Sequence, residues 1–179
     1  MLREDPPVQR VLSEDEYQKV LSAAQGISRD IIEFIGNTGL RRGEFLALKW
    51  KDVSPDMQFL RIFGKGRKER TVPLNNTCRR ILSQYNGNGN GDVDIPFVQR
   101  YPSKEGVYWM CRTLYNKTGV PPFGLHALRH YFATKLIKKG VPLIKVSKIL
   151  GHASIKITEL VYIHLTPIDL LGCTDVLDD

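Results

Sequence analysis

The chain has 179 residues, 42% hydrophobic and 25% charged, the profile of a soluble globular protein long enough to bury the core of a single domain. No apolar run reaches the length of a membrane span and no leader pattern opens the chain. The three cysteines (Cys78, Cys111, Cys173) are scattered without metal-ligand spacing, which predicts free thiols in a reducing, cytoplasmic compartment. Net charge is +7, and the four acids after Pro167 stand apart from any Lys or Arg. The body therefore carries 26 basic residues against 15 acidic, near +11, a balance that suits a polyanion through release of counterions from phosphates.

Along the chain, residues 1–12 read as an extended, linker-like start because Pro6-Pro7 resist helix. Ser13-Glu14-Asp15-Glu16 is a capping box that opens a helix to about Ala24. Ser28 is the expected cap of a second helix, with Ile31, Ile32, Phe34 and Ile35 as its apolar stripe and an end near Gly36-Asn37. A third helix is expected from Leu40-Arg41 through Phe45, Leu46 and Leu48 to Trp50. The texture then turns β-like at Phe59–Phe63 and Arg70–Leu74 around Gly64-Lys65-Gly66-Arg67-Lys68, which predicts a hairpin. A helix from Asn76 or Thr77 to Tyr85 follows, then an unanchored Asn-Gly run over 86–91. Further helices are expected over 104–115, 125–139 and 142–150, with Gly140 as a stop and Pro142 in a first turn. A last amphipathic stretch spans 154–164. The expected fold class is mostly α with one small antiparallel β-sheet, an α+β domain over residues 1–179 with an acidic tail at 168–179.

Four constellations bear chemistry. In Thr38-Gly39-Leu40-Arg41-Arg42-Gly43-Glu44, a glycine turn precedes a helix whose first turn carries Arg41. A guanidinium there adds to free N–H groups in gripping phosphate, and Glu44, three residues on, can orient it. In Gly64-Lys65-Gly66-Arg67-Lys68-Glu69-Arg70, a glycine-flanked lysine on a hairpin tip can deliver an ammonium to a phosphate or a leaving oxygen. The stretch is not a nucleotide-binding P-loop, because no long glycine loop precedes the lysine and no Ser or Thr follows it. In His126-Ala127-Leu128-Arg129-His130, spacing of three puts His126 and Arg129 on one helical face, with His130 in a supporting position. Zinc fits poorly there, since no Glu follows His126 and no cysteine pair is near. Last, Leu150-Gly151-His152 marks a helix end, and Tyr162 follows as a hydroxyl nucleophile that needs nearby cations or a base.

In this order the motifs resemble the tyrosine recombinase (phage integrase) family over about 130 residues, from Thr38 to Thr166. The surrounding text GEFLALKWKDV, GKGRKERTVPL and LGHASIK reads like that family too. The resemblance implies that Tyr162 attacks a scissile phosphate to give a 3′-phosphotyrosyl bond and a free 5′-hydroxyl. Arg41 and Arg129 would clamp the non-bridging oxygens, Lys65 would protonate the leaving oxygen, and His126 and His152 would hydrogen-bond the phosphate or move a proton. No metal or other cofactor is implied, because the bond energy stays in the covalent intermediate, and exchange of strands would proceed through a four-way junction. The implied partners are double-stranded DNA, with Arg42, Arg67, Lys68 and Arg70 as further DNA-facing cations, and other protomers of the same chain. Those protomers would form a tetrameric synapse in which the C-terminal tail docks on a neighbour. A prokaryotic or mobile-element origin completes the expectation; residues 1–12 cannot form the N-terminal DNA-clasping domain usual in that family, so the chain reads as an isolated catalytic domain with that domain absent. Tyr162 stands ten residues after His152, one beyond the family's usual step, so a loop before it must absorb the extra residue. Two alternatives stay open: relaxation of supercoils in the manner of type IB topoisomerases, and a DNA-binding module that has lost catalysis.

Overall fold

The computed structural model describes residues 10–64, 69–85 and 92–151. The hairpin tip at 65–68, the Asn-Gly run at 86–91 and the 152–179 segment, with the expected amphipathic stretch, lie outside the described residues.

Helix α1 spans Glu14–Ala23. The Ser13 hydroxyl accepts from the Glu16 N–H at 3.1 Å and the Glu16 carboxylate accepts from the Ser13 N–H at 2.9 Å, so two free donors of the first turn are satisfied reciprocally. Helix α2 spans Gly26–Thr38, starting two residues before the expected cap. Ser28 lies inside its first turn, where its hydroxyl shares a 2.9 Å hydrogen bond with the Tyr101 hydroxyl instead of capping. Ile31, Ile32, Phe34 and Ile35 are fully buried, each contributing about 1.5–3 kcal/mol of apolar burial. That stripe makes α2 the hub against which α1 and three later helices pack.

The third helix is shorter than its apolar pattern suggests. Helix α3 covers only Arg42–Leu46, and a 3₁₀ turn follows at Trp50–Asp52. The Asp52 carboxylate accepts the Lys49 N–H at 2.9 Å and the Trp50 N–H donates to the Val93 carbonyl at 3.0 Å. A local side-chain cap and a distant backbone partner thus outcompete continued helix. Leu48 and Trp50 reach the core through the turn.

Strands β1 (Phe59–Phe63) and β2 (Glu69–Pro73) pair antiparallel, from Phe59 opposite Pro73 to Phe63 opposite Glu69. Alternation sends Leu60, Ile62 and Val72 inward, while Phe59 and Phe63 stay exposed. Helix α4 (Asn76–Tyr85) is capped by Asn75, whose side-chain oxygen accepts the Cys78 N–H at 3.0 Å. A short α5 (Pro96–Arg100), absent from the sequence expectation, is too brief to leave a periodic signal; it buries Phe97 against Phe34, Phe45 and Tyr85. Helix α6 (Lys104–Thr118) begins at a Ser103 cap and ends at Gly119. Helices α7 (Leu125–Lys138) and α8 (Leu143–Leu150) complete the described chain. The α7 ring of Tyr131 stacks on Tyr17 of α1 at 4.1 Å. Cys78 and Cys111 are buried free thiols. Among the described residues no helix is long and apolar enough to cross a membrane.

One glycine fixes how α2, α7 and α8 meet. Gly39 ends α2 in the left-handed region at φ +63°, and a Cβ there would collide with the Phe132 ring and come within 3.0 Å of Leu150. Gly119 ends α6 at φ +69° but faces open space. Both to alanine incur the left-handed penalty of about 1–2 kcal/mol. Only Gly39→Ala also overpacks a helix junction, for a total of about 2–5 kcal/mol. Chemical denaturation of the two variants should separate them in that order, and equal losses would count against the close approach at Gly39.

Candidate active site

Four residues singled out by sequence converge where α2, α3, α7 and α8 end or begin. Arg41 sits at the N-cap of α3 in extended backbone. Its N–H donates to one oxygen of Glu44 at 2.7 Å and its Nη1 to the other at 3.0 Å. Arginine has no acceptor, so only the glutamate half of a capping box forms here. Nη2 reaches the Gly151 carbonyl at 3.3 Å, and the side chain remains 40% exposed. Arg42, next to it, is exposed.

Arg129 lies on α7 and is 2% exposed. Its Nη1 donates to the Gly39 carbonyl at 2.6 Å and its Nη2 to the Leu150 carbonyl at 2.7 Å. Those carbonyls belong to the C-terminal ends of α2 and α8, where the helix dipole is negative, so one buried cation closes two helices. Burial, then the Arg41 and Arg70 cations, pull its pKa down to about 9 against the opposing pull of Glu44. The guanidinium stays charged at neutral pH.

Arg70, expected among the DNA-facing cations, is placed elsewhere. Its side chain is 9% exposed. Nη1 and Nη2 grip Glu44 with two bonds of 2.6 and 2.8 Å, and Nε donates to the Ile149 carbonyl at 2.7 Å. The signal was in the strand alternation, since Arg70 is two residues from Val72 and opposite Ile62, both buried. The helix-ending carbonyls of Ile149, Leu150 and Gly151 also escaped sequence reasoning. Their role is visible only once three arginines are seen to gather on them.

His126 occupies the first turn of α7 and is exposed. Burial of its ring atoms, then the Arg129 and Arg41 cations, hold its pKa below the ordinary histidine value, which favours the neutral imidazole. The half-buried His130 ring lies edge-on to it at 4.7 Å. Lys65, Arg67, Lys68, His152 and Tyr162 lie outside the described residues.

Glu44 has two arginine partners and an 8% exposed carboxylate. Burial alone would raise its pKa. The Arg70 bonds, the Arg41 N–H and the Arg41 side chain outweigh that and hold it at about 2. Against an ordinary 4.5 when unfolded, this contributes on the order of 3 kcal/mol of stability. The contribution is complete above pH 4.5 and is lost as pH falls from there toward 2. Urea titrations of the wild type and Glu44→Gln from pH 6 to 2 should show their stability gap shrinking by about that amount. A gap that stays constant across the range would refute the assignment.

Comparison with known proteins accords with this geometry. The model of the phage integrase family matches residues 10–167. The chain is 31% identical over 173 residues to tyrosine recombinase XerD of Halalkalibacterium halodurans, covering 88% of this chain and 58% of that protein. It is 32% identical over 178 residues to XerD of Listeria innocua, covering 90% and 60%. The chain thus spans about three fifths of the length of these curated relatives. Among solved structures, XerA recombinase superposes with a TM-score of 0.74 at 28% identity, over 98% of this chain and 67% of that one. XerH site-specific recombinase bound to its difH substrate gives 0.70 at 26% identity, over 96% and 55%. The catalytic domain of bacteriophage HP1 integrase shares the fold, with a TM-score of 0.65 at 20% identity over 94% of both chains. The chain belongs to the phage integrase family, the tyrosine recombinases.

Proposed function

We propose that residues 1–179 form the catalytic domain of a site-specific DNA recombinase that cleaves and rejoins strands without a metal. The observation that carries this reading is the convergence of Arg41 and Arg129 on the last turn of α8. Their guanidinium groups bond the Gly151 and Leu150 carbonyls, immediately before His152 in the chain. Two fixed cations there form a preorganised field for the charge that develops on a phosphorane-like transition state, with no reorganisation needed during the reaction.

In the proposed step the Tyr162 oxygen forms a bond to phosphorus while the bond to the 5′-oxygen breaks. Arg41 and Arg129 hold the non-bridging oxygens. Lys65 gives its proton to the 5′-oxygen, and neutral His126, with His152, takes up the tyrosine proton or hydrogen-bonds the phosphate. The reverse attack by a 5′-hydroxyl of another strand restores the phosphodiester, so strands are exchanged through a four-way junction. Exposed Arg42, with Arg67 and Lys68, would add backbone contacts that position the duplex without reading its sequence. Further copies of the chain would complete a tetrameric synapse, with residues 168–179 docking on a neighbour. The partially covered relatives XerD and the DNA-bound XerH support this reading.

Incubation with a nicked suicide duplex should trap a covalent protein–DNA adduct. Tyr162→Phe should abolish it, and an adduct that persists in that variant would reject the nucleophile. Arg41→Ala, at a side chain 40% exposed and so tolerable to the fold, should slow single-turnover cleavage by about 10²–10³. Joining to an added strand bearing a 5′-hydroxyl separates recombination from simple relaxation of supercoils.

The lowered pKa of His126 also sets a pH limit. Because its pKa is held below the ordinary histidine value of 6.5, the acidic limb of cleavage should be centred below pH 6.5. In His126→Gln that acidic limb should disappear from the pH–rate profile. A wild-type limb centred at or above pH 6.5 would contradict the assignment.

A further inference from the structure

We infer that Arg70 is a positioning residue for strand cleavage, acting through Glu44 to keep the Arg41 guanidinium available to the scissile phosphate. This deepens, and rests on, the cleavage reading above.

Three observations carry it. First, Arg70 is turned into the protein: its side chain is 9% exposed, and each of its three guanidinium nitrogens donates to a protein acceptor. Second, it takes the larger share of Glu44. Both carboxylate oxygens bind Arg70, at 2.6 and 2.8 Å, while the Arg41 side chain makes a single 3.0 Å bond to Glu44. Third, the chain has made room for it. Gly151 stands at φ +65° with Arg70 lying across it, and a Cβ there would meet Arg70 Cδ at 2.5 Å and Nε at 3.1 Å.

The physical consequence concerns competition for one buried anion. Glu44 carries a full charge at an 8% exposed position, and a buried carboxylate must be paired. Arg70 meets that requirement from the core side, in the fork geometry that only a guanidinium supplies. Arg41 therefore needs only one side-chain bond to Glu44 and keeps a partly exposed head beside the end of α8. Without Arg70, Arg41 becomes the sole side-chain cation on Glu44. The carboxylate then draws it inward, and the bond to an incoming phosphate competes with an unscreened ion pair. Glu44 aligns Arg41 when Arg70 is present and traps it when Arg70 is gone.

The test is a two-by-two comparison of the wild type, Arg70→Met, Glu44→Gln and the double variant. Single-turnover cleavage of the nicked suicide duplex is measured per folded protein, with DNA affinity and thermal melting recorded alongside. Arg70→Met should slow cleavage by about 30-fold or more while DNA affinity changes by less than about threefold, because binding is spread over many phosphate contacts. In the Glu44→Gln background the same change should slow cleavage by less than about threefold, since the trapping charge is absent. Where Arg70→Met fails to fold, Arg70→Lys takes its place in the cycle, because it keeps a cation but lacks the fork. A merely structural Arg70 would cost the same factor in both backgrounds, and that result overturns the inference. Cleavage by Arg70→Met at the wild-type rate overturns it too. An absence of adduct from the wild type itself would instead overturn the cleavage reading, and with it the premise of this one.

Discussion

The carbonyls that close α8, from Ile149 to the cap residue Gly151, organise this molecule. A helix ends with carbonyls that its own backbone cannot satisfy. Here Ile149, Leu150 and Gly151 each take a different arginine: Arg70 from the hairpin, Arg129 from α7 and Arg41 from the start of α3. The start of α3, the hairpin and α7 are pinned to the end of α8 by a requirement of elementary hydrogen bonding. The negative end of the α8 dipole favours cations at that point. The positive charge that gathers there is thus the same charge that the fold needs to finish a helix.

Three guanidinium groups in so small a volume repel one another. Burial first, and then the Arg41 and Arg70 cations, pull the Arg129 pKa down to about 9. One carboxylate, Glu44, answers Arg41 and Arg70 together, and the carbonyls of Gly39 and Leu150 answer Arg129. Carbonyl oxygens carry partial charge only, so they stabilise Arg129 without cancelling it. The cluster remains net positive, with three guanidinium groups against one carboxylate. A second buried carboxylate would have cancelled more of that charge.

Much of this was legible from local chemistry. The capping box at Ser13 and the stripe from Ile31 to Ile35 depend on neighbours within a turn or two, and they appear where the sequence put them. Gly39 was readable as a turn, though not as the contact surface for Phe132 and Leu150, because that needs the packing of α7 and α8. Ser28 failed as a cap because a distant hydroxyl, Tyr101, claimed it. The run from Leu40 to Trp50 has helical periodicity throughout, and it breaks at Ala47 because Asp52 and Val93 supply the competing partners. Arg70 was misplaced for a different reason. Its position in a basic hairpin suggested solvent, whereas its alternation with Val72 pointed inward. Period-two patterning was the better guide, since a strand cannot turn one residue outward without turning its face.

The same geometry limits which residues can stand at the key positions. Arg129 serves two carbonyls that end different helices, from two nitrogens of one rigid plane. A lysine has one nitrogen on a flexible stem; it could approach one carbonyl while leaving the other buried and unpaired, at about 1–3 kcal/mol for the orphan alone. Arg70 is equally constrained, because its fork must span Glu44 while Nε still reaches Ile149. The Arg41 side chain, by contrast, has one bond to the carboxylate and a long 3.3 Å contact to Gly151. Arg129 and Arg70 hold the frame through short bonds, and the more loosely held Arg41 keeps a partly exposed head beside them. Rigid support with one less-bound cation at the edge is a physical division of labour: Arg41 can exchange its bonds without the helices that build the cluster coming apart.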